Sequence, residues 1–393
     1  MLLGLVGKPS CGKSTFFKAA SLSDVLIAAY PFATIQPNHG MGYVRVDALC
    51  KELNTKCNPR TGFCNGETRF VPVELMDVAG LVAGASEGKG LGNKFLDDLR
   101  QADMFIQVVD ASGTTDIEGK EGAGDPIEDV KMLENELDKW YRGIFEKVWE
   151  KMSRTIQATK QDFADAVSKQ FSGLRVKEDD VKSVLLKLKL DPEKPATWTS
   201  EDLDNFTKTL RHSTKPMIIA ANKTDKPGAK ENIEKLKKEF PDIMIIPCSA
   251  DSELSLRQAA TTGLIEYTQG DSTFTINEGK ANEDQKNALA SIQKNVLDIY
   301  GSTGVQNVLD KAVFDLLDYI AIFPAGSKLA DSKGNVLPDC FLLPGGSTAL
   351  DFAYSLHTDI GDKFVKAINV RTKQAVGKDH PLNHRDGIEI MTS

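Results

Sequence analysis

Three short segments of this chain carry residue types and spacings suited to holding a nucleoside triphosphate. The first, GKPSCGKST, fits G-x-x-x-x-G-K-S/T from Gly7 to Ser14. In such a loop the glycines let successive backbone N–H groups turn toward phosphate oxygens, and the helix that follows presents its positive end to them. Lys13 is expected to reach the β- and γ-phosphates, and the Ser14 hydroxyl to ligate Mg2+. Gly7, Lys8, Pro9, Ser10, Cys11, Gly12 and Thr15 complete the predicted nucleotide loop. The second segment, NKTD, follows an apolar run and ends at Asp225. A carboxylate there can accept from both N1–H and N2–H2 of guanine, and adenine offers neither donor, so GTP is expected over ATP. Lys223 would lay its aliphatic stem over the base, while Asn222 bonds the purine edge and braces the phosphate loop. In the third segment, IIPCSA, Ser249 and Ala250 stand where a backbone N–H commonly meets guanine O6.

Between these segments lie two stretches that would sense the γ-phosphate. YPFATIQPNHG offers Thr34 as a hydroxyl that joins the Mg2+ shell only when that phosphate is present, and DVAG brings Asp77 and Gly80 from the other side. The predicted metal set is therefore Ser14, Thr34 and Asp77, and the predicted catalytic set Lys13, Thr34 and Gly80. A Ras-like enzyme places a water-orienting Gln directly after this D-x-x-G, whereas this chain has Leu81. Leu81 is expected to point away from the phosphates and leave backbone groups to hold water. Phosphoryl transfer depends mainly on positioning and charge neutralisation, so intrinsic turnover should be slow and raised by a partner. Glycines 80, 84, 88, 90 and 92 give the second stretch little conformational preference of its own.

The elements that must position these groups follow from the apolar pattern. LLGLV before the first loop and MIIAA before NKTD are runs of the kind that form buried parallel strands. About a hundred residues separate the strand ending near Asp110 from NKTD. Within them Asp125, Pro126 and Glu128 make a capped helix start. Ile127, Val130, Leu133, Leu137, Tyr141, Ile144, Val148 and Met152 then recur at helical spacing. A second helical stretch with Phe163, Val167, Phe171 and Leu174 is expected to fold back as a hairpin. The stripe reads as internal packing, with a projecting arm as the alternative. From about Tyr319 the chain turns to short β-rich runs, with Thr348 and Asp351 capping a short helix.

Bulk properties set outer bounds. A chain of 393 residues suits two or three cores, and a net charge of −8 argues against a protein that is basic throughout, as many dedicated nucleic-acid binders are. No apolar run is long enough to span a bilayer, and the apolar start is too short for a signal peptide, so a cytoplasmic protein without membrane association is expected. Six scattered cysteines suit a reducing compartment. Cys50, Cys57 and Cys64 recur evenly with His39 upstream, but without the tight C-x-x-C knuckle of structural zinc sites, and they are expected to be buried thiols in a turn-rich segment. Cys11 is read as a small packed residue of the phosphate loop. Nothing in the sequence demands more than a monomer.

Taken together, GLVGKPSCGKST, YPFATIQPN, DVAGLVAGASEGKGLGNKFLDDLR and DPIEDV resemble the signatures of the YchF or Obg-like P-loop GTPases in their archaeal form, and the likeness runs the length of the chain. The resemblance implies an α/β fold. Its core would be a Ras-like, mostly parallel sheet with helices on both faces, carrying a coiled-coil-like helical insertion and a small β-grasp (TGS) domain at the C-terminus. The implied domains are 1–118 with 207–305 for nucleotide, 119–206 for the insertion and 306–393 for the TGS module. An apolar residue after D-x-x-G is a feature of that family, which accounts for Leu81. Related GTPases hold K+ with a phosphate-loop Asn, where this chain has Ser10. The family further implies contact with the ribosome or RNA through the TGS module and the insertion, with Lys363, Lys366, Arg371, Lys373 and Lys378 as a phosphate-facing patch. Bacterial and eukaryotic members are read as ATP-preferring with a degraded N-K-x-D, whereas NKTD is intact here. The reading is a Mg2+-dependent GTP/GDP switch that hydrolyses GTP. The alternatives are an ATPase, a nucleotide-dependent binding module with negligible turnover, and a P-loop kinase acting on a small acceptor.

Overall fold

The run LLGLV forms β1 (Leu2–Val6), buried along its whole length. The glycine loop then turns the chain into α1 (Lys13–Ser21), and β2 (His39–Asp47), β3 (Phe63–Cys64), β4 (Thr68–Asp77), β5 (Met104–Asp110), β6 (Met217–Asn222) and β7 (Met244–Pro247) follow. β1 lies between β4 and β5 and is parallel to both, and β6 and β7 continue the parallel sheet beyond β5. Side chains alternate across a strand, yet Leu3, Leu5, Ile106 and Val108 on one parity and Leu2, Val6, Phe105 and Val109 on the other are all buried. Both faces are therefore covered, as a parallel sheet requires. The computed structural model describes residues 1–21, 39–78, 80, 84, 99–326, 329–331 and 333–393. Thr34 and Leu81, and with them the readings of their roles, lie outside the described residues.

The long segment between β5 and β6 folds as α2 (Pro126–Thr159), α3 (Phe163–Gln170), α4 (Glu178–Leu188) and α5 (Ser200–Thr214). Asp125 caps α2, its Oδ1 accepting the Ile127 N–H at 2.9 Å. Glu128, expected to complete that cap, instead stands 3.7 Å from Lys131, one turn on. A hairpin was too small an expectation. Val181, Val184 and Leu185 of α4 and Leu203, Phe206 and Leu210 of α5 join Leu133, Leu137 and Tyr141 of α2 in one core, which also takes in Leu2, Val6 and Phe105 of the sheet. The stripe on α2 is thus internal packing. Phe145 stacks on Phe171 with ring centroids 3.7 Å apart, and Phe206 meets Phe163 edge-on. Removing such a ring costs about 3–5 kcal/mol.

After β6 come α6 (Ala229–Glu239), α7 (Ala250–Thr261), the short pair β8 (Ile265–Glu266) and β9 (Thr275–Ile276), α8 (Glu283–Ile292) and α9 (Val305–Lys311). The C-terminal region builds β10 (Tyr319–Pro324), β11 (Phe341–Pro344), α10 (Ala349–Leu356), β12 (Phe364–Asn369), β13 (Gln374–Val376) and β14 (Gly387–Thr392). Its strand order is β11-β10-β14-β12-β13. β10 and β14 are parallel and the other neighbours antiparallel. Thr348 and Asp351 form the predicted reciprocal cap of α10, whose Phe352 and Ala353 enter the core with Ile322, Ala367 and Ile388. This is a β-grasp arrangement. Among the described residues, the chain divides into two compact units, one spanning Met1–Ala19 and Glu74–Val308, the other Met41–Val73 and Leu309–Ser393.

Candidate nucleotide-binding site

β1, β4, β5 and β6 run parallel, so their carboxyl ends deliver Gly7, Asp77, Asp110 and Asn222 to the same edge of the sheet. That edge is where open parallel sheets form ligand crevices. A cleft of about 560 Å3 opens there, lined by Lys8, Pro9, Ser10, Gly12, Lys13, Ser14, Thr15, Gly80, Asn222, Lys223 and Asp225 among the predicted residues. Lys226 and Asp251 line it as well; neither stood out in the sequence, because a lysine and an aspartate beside a loop read as ordinary solvated charges. Gly7, Cys11, Asp77, Ser249 and Ala250 are not on the lining and bear on it through their neighbours.

Local geometry explains the residue types. Gly7 and Gly12 have φ of 157° and 92°, and a Cβ on Gly12 would fall 2.2 Å from Asn222 Nδ2. Ser10 and Lys223 also adopt left-handed conformations, with φ of 60° and 66°. Non-glycine residues of this kind concentrate at functional sites, where surrounding structure holds the strain. Asn222 ties two loops together: its Nδ2 donates to Cys11 O at 2.9 Å, and its Oδ1 accepts the Ala250 N–H at 3.0 Å. The Ser249 N–H is bound to Thr303 O at 2.8 Å, and the Ser249 hydroxyl donates to Asp225 Oδ1 at 2.9 Å. Ser249 and Ala250 therefore brace Asp225 and Asn222, with their own N–H groups already engaged. Cys11 is fully buried, and burial pushes its thiol up to about 11, which leaves it a packed, unreactive residue.

At the phosphate end Lys13 Nζ donates to Asp77 Oδ1 at 2.5 Å and Ser14 Oγ to Asp77 Oδ2 at 2.9 Å. A carboxylate and a hydroxyl held together are hard oxygen donors of the sort Mg2+ takes, so Ser14 and Asp77 fit that ion. Gly80 lies against Pro9, an added Cβ being 3.1 Å from Pro9 N.

A buried charge network behind the cleft was not foreseen. Lys8 does not offer its ammonium to the cleft; it lies 2.8 Å from Asp129 Oδ2 on α2 and donates to Thr115 O at 2.7 Å. Lys223 Nζ donates to Asp110 Oδ2 at 2.8 Å, and the same carboxylate accepts from the Ser112 and Thr115 hydroxyls at 2.5 and 2.7 Å. Burial works to raise the Asp110 pKa, but the bonds from Lys223, Ser112 and Thr115 outweigh it, and the net shift is downward. For Asp129 burial prevails over Lys8, and its carboxyl is raised to about 6. Farther along α2, Glu136 Oε1 accepts the Gly84 N–H at 3.0 Å. One helix of the insertion therefore touches both the phosphate loop and the segment after D-x-x-G. The only sequence sign was two acids seven apart on a helix.

Comparison with known proteins places this geometry among its relatives. Residues 2–147 match the model of the 50S ribosome-binding GTPase family, residues 220–326 that of the Obg-like GTPase YGR210-like, G4 motif-containing domain, and residues 322–392 the TGS domain. The chain is 50% identical to an uncharacterized GTP-binding protein of Methanocaldococcus jannaschii over all of its own length and 99% of the relative's. It is 34% identical to the ribosome-binding ATPase YchF of Bacillus subtilis over 64% of this chain and 66% of that protein. Among solved structures, a GTP binding protein from Pyrococcus horikoshii OT3 superposes with a TM-score of 0.82 at 39% identity, covering 100% of both chains.

Proposed function

Since the chain belongs to the YchF/Obg-like family of P-loop GTPases, with the family's parallel-sheet fold and C-terminal TGS domain, we propose that it binds GTP in this cleft, hydrolyses it to GDP and phosphate, and signals by the difference between the two states. The observation that carries the reading is that one sheet edge brings the phosphate loop, Gly80 and an intact N-K-x-D onto a single cleft, with Asp77 bonded to Lys13 and Ser14 of that loop. In this reading Lys13 and the loop N–H groups neutralise the phosphates, Asp225 accepts from the guanine edge and Lys223 covers the base. Ser249 aims Asp225 through the hydroxyl bond described above. Ser14 and Asp77, with Thr34 from the first switch, would hold Mg2+, which when bound offsets charge on the phosphate oxygens. No described side chain in the cleft replaces a water-orienting Gln, so turnover is slow until a partner supplies what is missing.

The partner we propose is the ribosome or ribosomal RNA, engaged through the TGS module and the helical insertion by a monomeric, cytoplasmic protein. The working division is 1–118 with 207–305, 119–206 and 306–393. Lys363, Lys366, Lys373 and Lys378 are exposed and suit phosphate. Arg371 does not join them freely, because its Nε donates to Glu52 at 3.0 Å. Among the described residues no helix is long and apolar enough to cross a membrane.

The test is hydrolysis and affinity for GTP and ATP in Na+ and K+ buffers, with and without ribosomes, for the wild type and Asp225→Asn. GTP preference that passes to xanthosine triphosphate in the variant, with turnover raised by ribosomes, is the expected result. Unchanged GTP affinity in Asp225→Asn, or equal use of ATP, would overturn the base assignment. A K+ effect would show that the Ser10 hydroxyl serves where relatives of this kind use Asn.

A further inference from the structure

Residues 48–67, ALCKELNTKCNPRTGFCNGE, form an excursion in the second unit in which only Ala48, Leu49 and Cys50 are buried. Its ends are joined by the Ala48 N–H donating to Glu67 O at 2.8 Å. Between them a four-residue helix carries Cys50, a loop carries Cys57 and β3 carries Cys64. Evenly spaced cysteines lacking a C-x-x-C knuckle gave no reason to expect convergence, yet the three Sγ atoms all lie within 4.8 Å of one another. Cys50 Sγ and Cys64 Sγ are 3.9 Å apart. A disulfide needs a separation of about 2.05 Å. Tetrahedral zinc with Zn–S bonds of about 2.3 Å sets its sulfurs roughly 3.8 Å apart, close to the Cys50–Cys64 separation.

A second observation concerns the sulfur itself. The Gly66 N–H donates to Cys64 Sγ at 3.4 Å, and Asn65 Oδ1 holds that turn by accepting the Glu67 and Thr68 N–H groups. A backbone N–H aimed at a sulfur favours the thiolate, the form that binds metal. Cys57 and Cys64 are also only half-buried, so the cluster is reached from solvent and is not three thiols packed as small apolar groups. His39, the other potential ligand noted upstream, is elsewhere, its Nδ1 2.7 Å from Glu74. Among the described residues no fourth side chain joins the cluster.

We propose that Cys50, Cys57 and Cys64 bind one Zn2+ ion as thiolates, with solvent as the fourth ligand, and that the ion holds the loop between Cys57 and Cys64 in shape. That loop has a task in the same unit. Asn58 and Arg60 donate their backbone N–H groups to Val336 O and Pro338 O at 3.0 and 2.9 Å, and Arg60 pairs with Asp339. Binding releases the three thiol protons as the thiolates take up the metal. The metal therefore fixes the docking edge of the C-terminal β-grasp module and takes no part in the nucleotide cleft.

The full-length protein, purified in reducing buffer and desalted after exposure to Zn2+, should retain one equivalent of zinc by elemental analysis. Replacement with Co2+ should give the intense visible bands of tetrahedral cobalt with thiolate-to-metal charge transfer. Cys57→Ser, at a half-exposed position that tolerates the change, should lose both signals while keeping its circular dichroism and its GTP affinity. Cys64→Ser should do the same. Failure of the wild type to retain zinc, with all three thiols reacting freely with a thiol reagent in the native state, would overturn the proposal. So would zinc retained equally by both variants, which would place the ion elsewhere. A Cys50–Cys64 disulfide found by mass in protein from reducing cytosol would also overturn it.

Discussion

The nucleotide cleft and the cysteine cluster hold their ligand atoms still by different means. At the cleft three lysines are met by carboxylates from other elements: Lys8 by Asp129 of α2, Lys13 by Asp77 of β4, and Lys223 by Asp110 of β5. The loops are therefore positioned by charge before any ligand arrives, and the Ser14 and Asp77 oxygens held beside Lys13 are of the hard kind that suits Mg2+. In the cluster three soft sulfurs converge with no such pairing, and a single ion does the joining. Removing a charge should then alter ligand binding or the stability of one unit, whereas removing the metal should loosen one loop of the other.

The largest expected effect is at Lys13. Lys13→Ala loses charge-assisted bonds to phosphate worth about 3 kcal/mol, which is roughly a hundredfold in affinity. Titration with a fluorescent GTP analogue measures it, and an affinity within a few-fold of wild type would break the comparison at its strongest point. Next is Asp129→Asn, which puts a neutral isostere where burial already disfavours the ionised carboxyl beside Lys8, and should raise stability near pH 7 by about 2 kcal/mol in urea unfolding. This substitution also carries a pH signature. The native Asp129 carboxyl is raised to about 6 from an ordinary 3.8, so in that window the folded state binds the extra proton. Its contribution to stability is full below about 3.8 and is lost as pH rises through about 6. The variant's advantage should shrink on acidification from pH 7 to pH 4, where the wild-type carboxyl is neutral as well, and a flat gap would show that Lys8 holds the carboxyl at its normal value.

Smaller effects sharpen the contrast. Chelation or Cys57→Ser should raise protease sensitivity between Cys57 and Cys64 and leave GTP affinity unchanged. Glu136→Gln weakens one charge-assisted bond to the Gly84 N–H, worth about 1 kcal/mol. Gly84 amide exchange should quicken by about fivefold, since 1.4 kcal/mol is tenfold. No change there would mean that α2 does not hold the segment after D-x-x-G.

The phosphate loop and N-K-x-D were legible because their chemistry is local. A loop that wraps a phosphate and a loop that meets one base each need contiguous residues, so the spacing of Gly7 to Ser14 and of Asn222 to Asp225 was enough to single out two segments that line one cleft. The parallel sheet was legible for the same reason, since LLGLV and MIIAA are apolar runs that bury both faces of a strand. The cap of α10 by Thr348 and Asp351 spans only three residues.

What the tertiary structure alone decided involves partners far apart in sequence. Lys8 reads as part of the nucleotide loop, and only the packing of α2 on the sheet turns its ammonium to Asp129, 121 positions later in numbering. Ala250 has its N–H taken by Asn222 because β6 and the start of α7 meet behind the cleft. Helices α4 and α5 close a core whose need for them is invisible until α2 and α3 have exposed an apolar face. The three cysteines are seven residues apart at each step, a spacing that means nothing until Gly66 and the hairpin of β3 on β4 fold Cys64 back toward Cys50. Sequence specifies the groups that act on a ligand within one turn of chain; burial and strand pairing choose which distant charge or sulfur each of them meets, because those choices depend on a core that forms only when the whole unit folds.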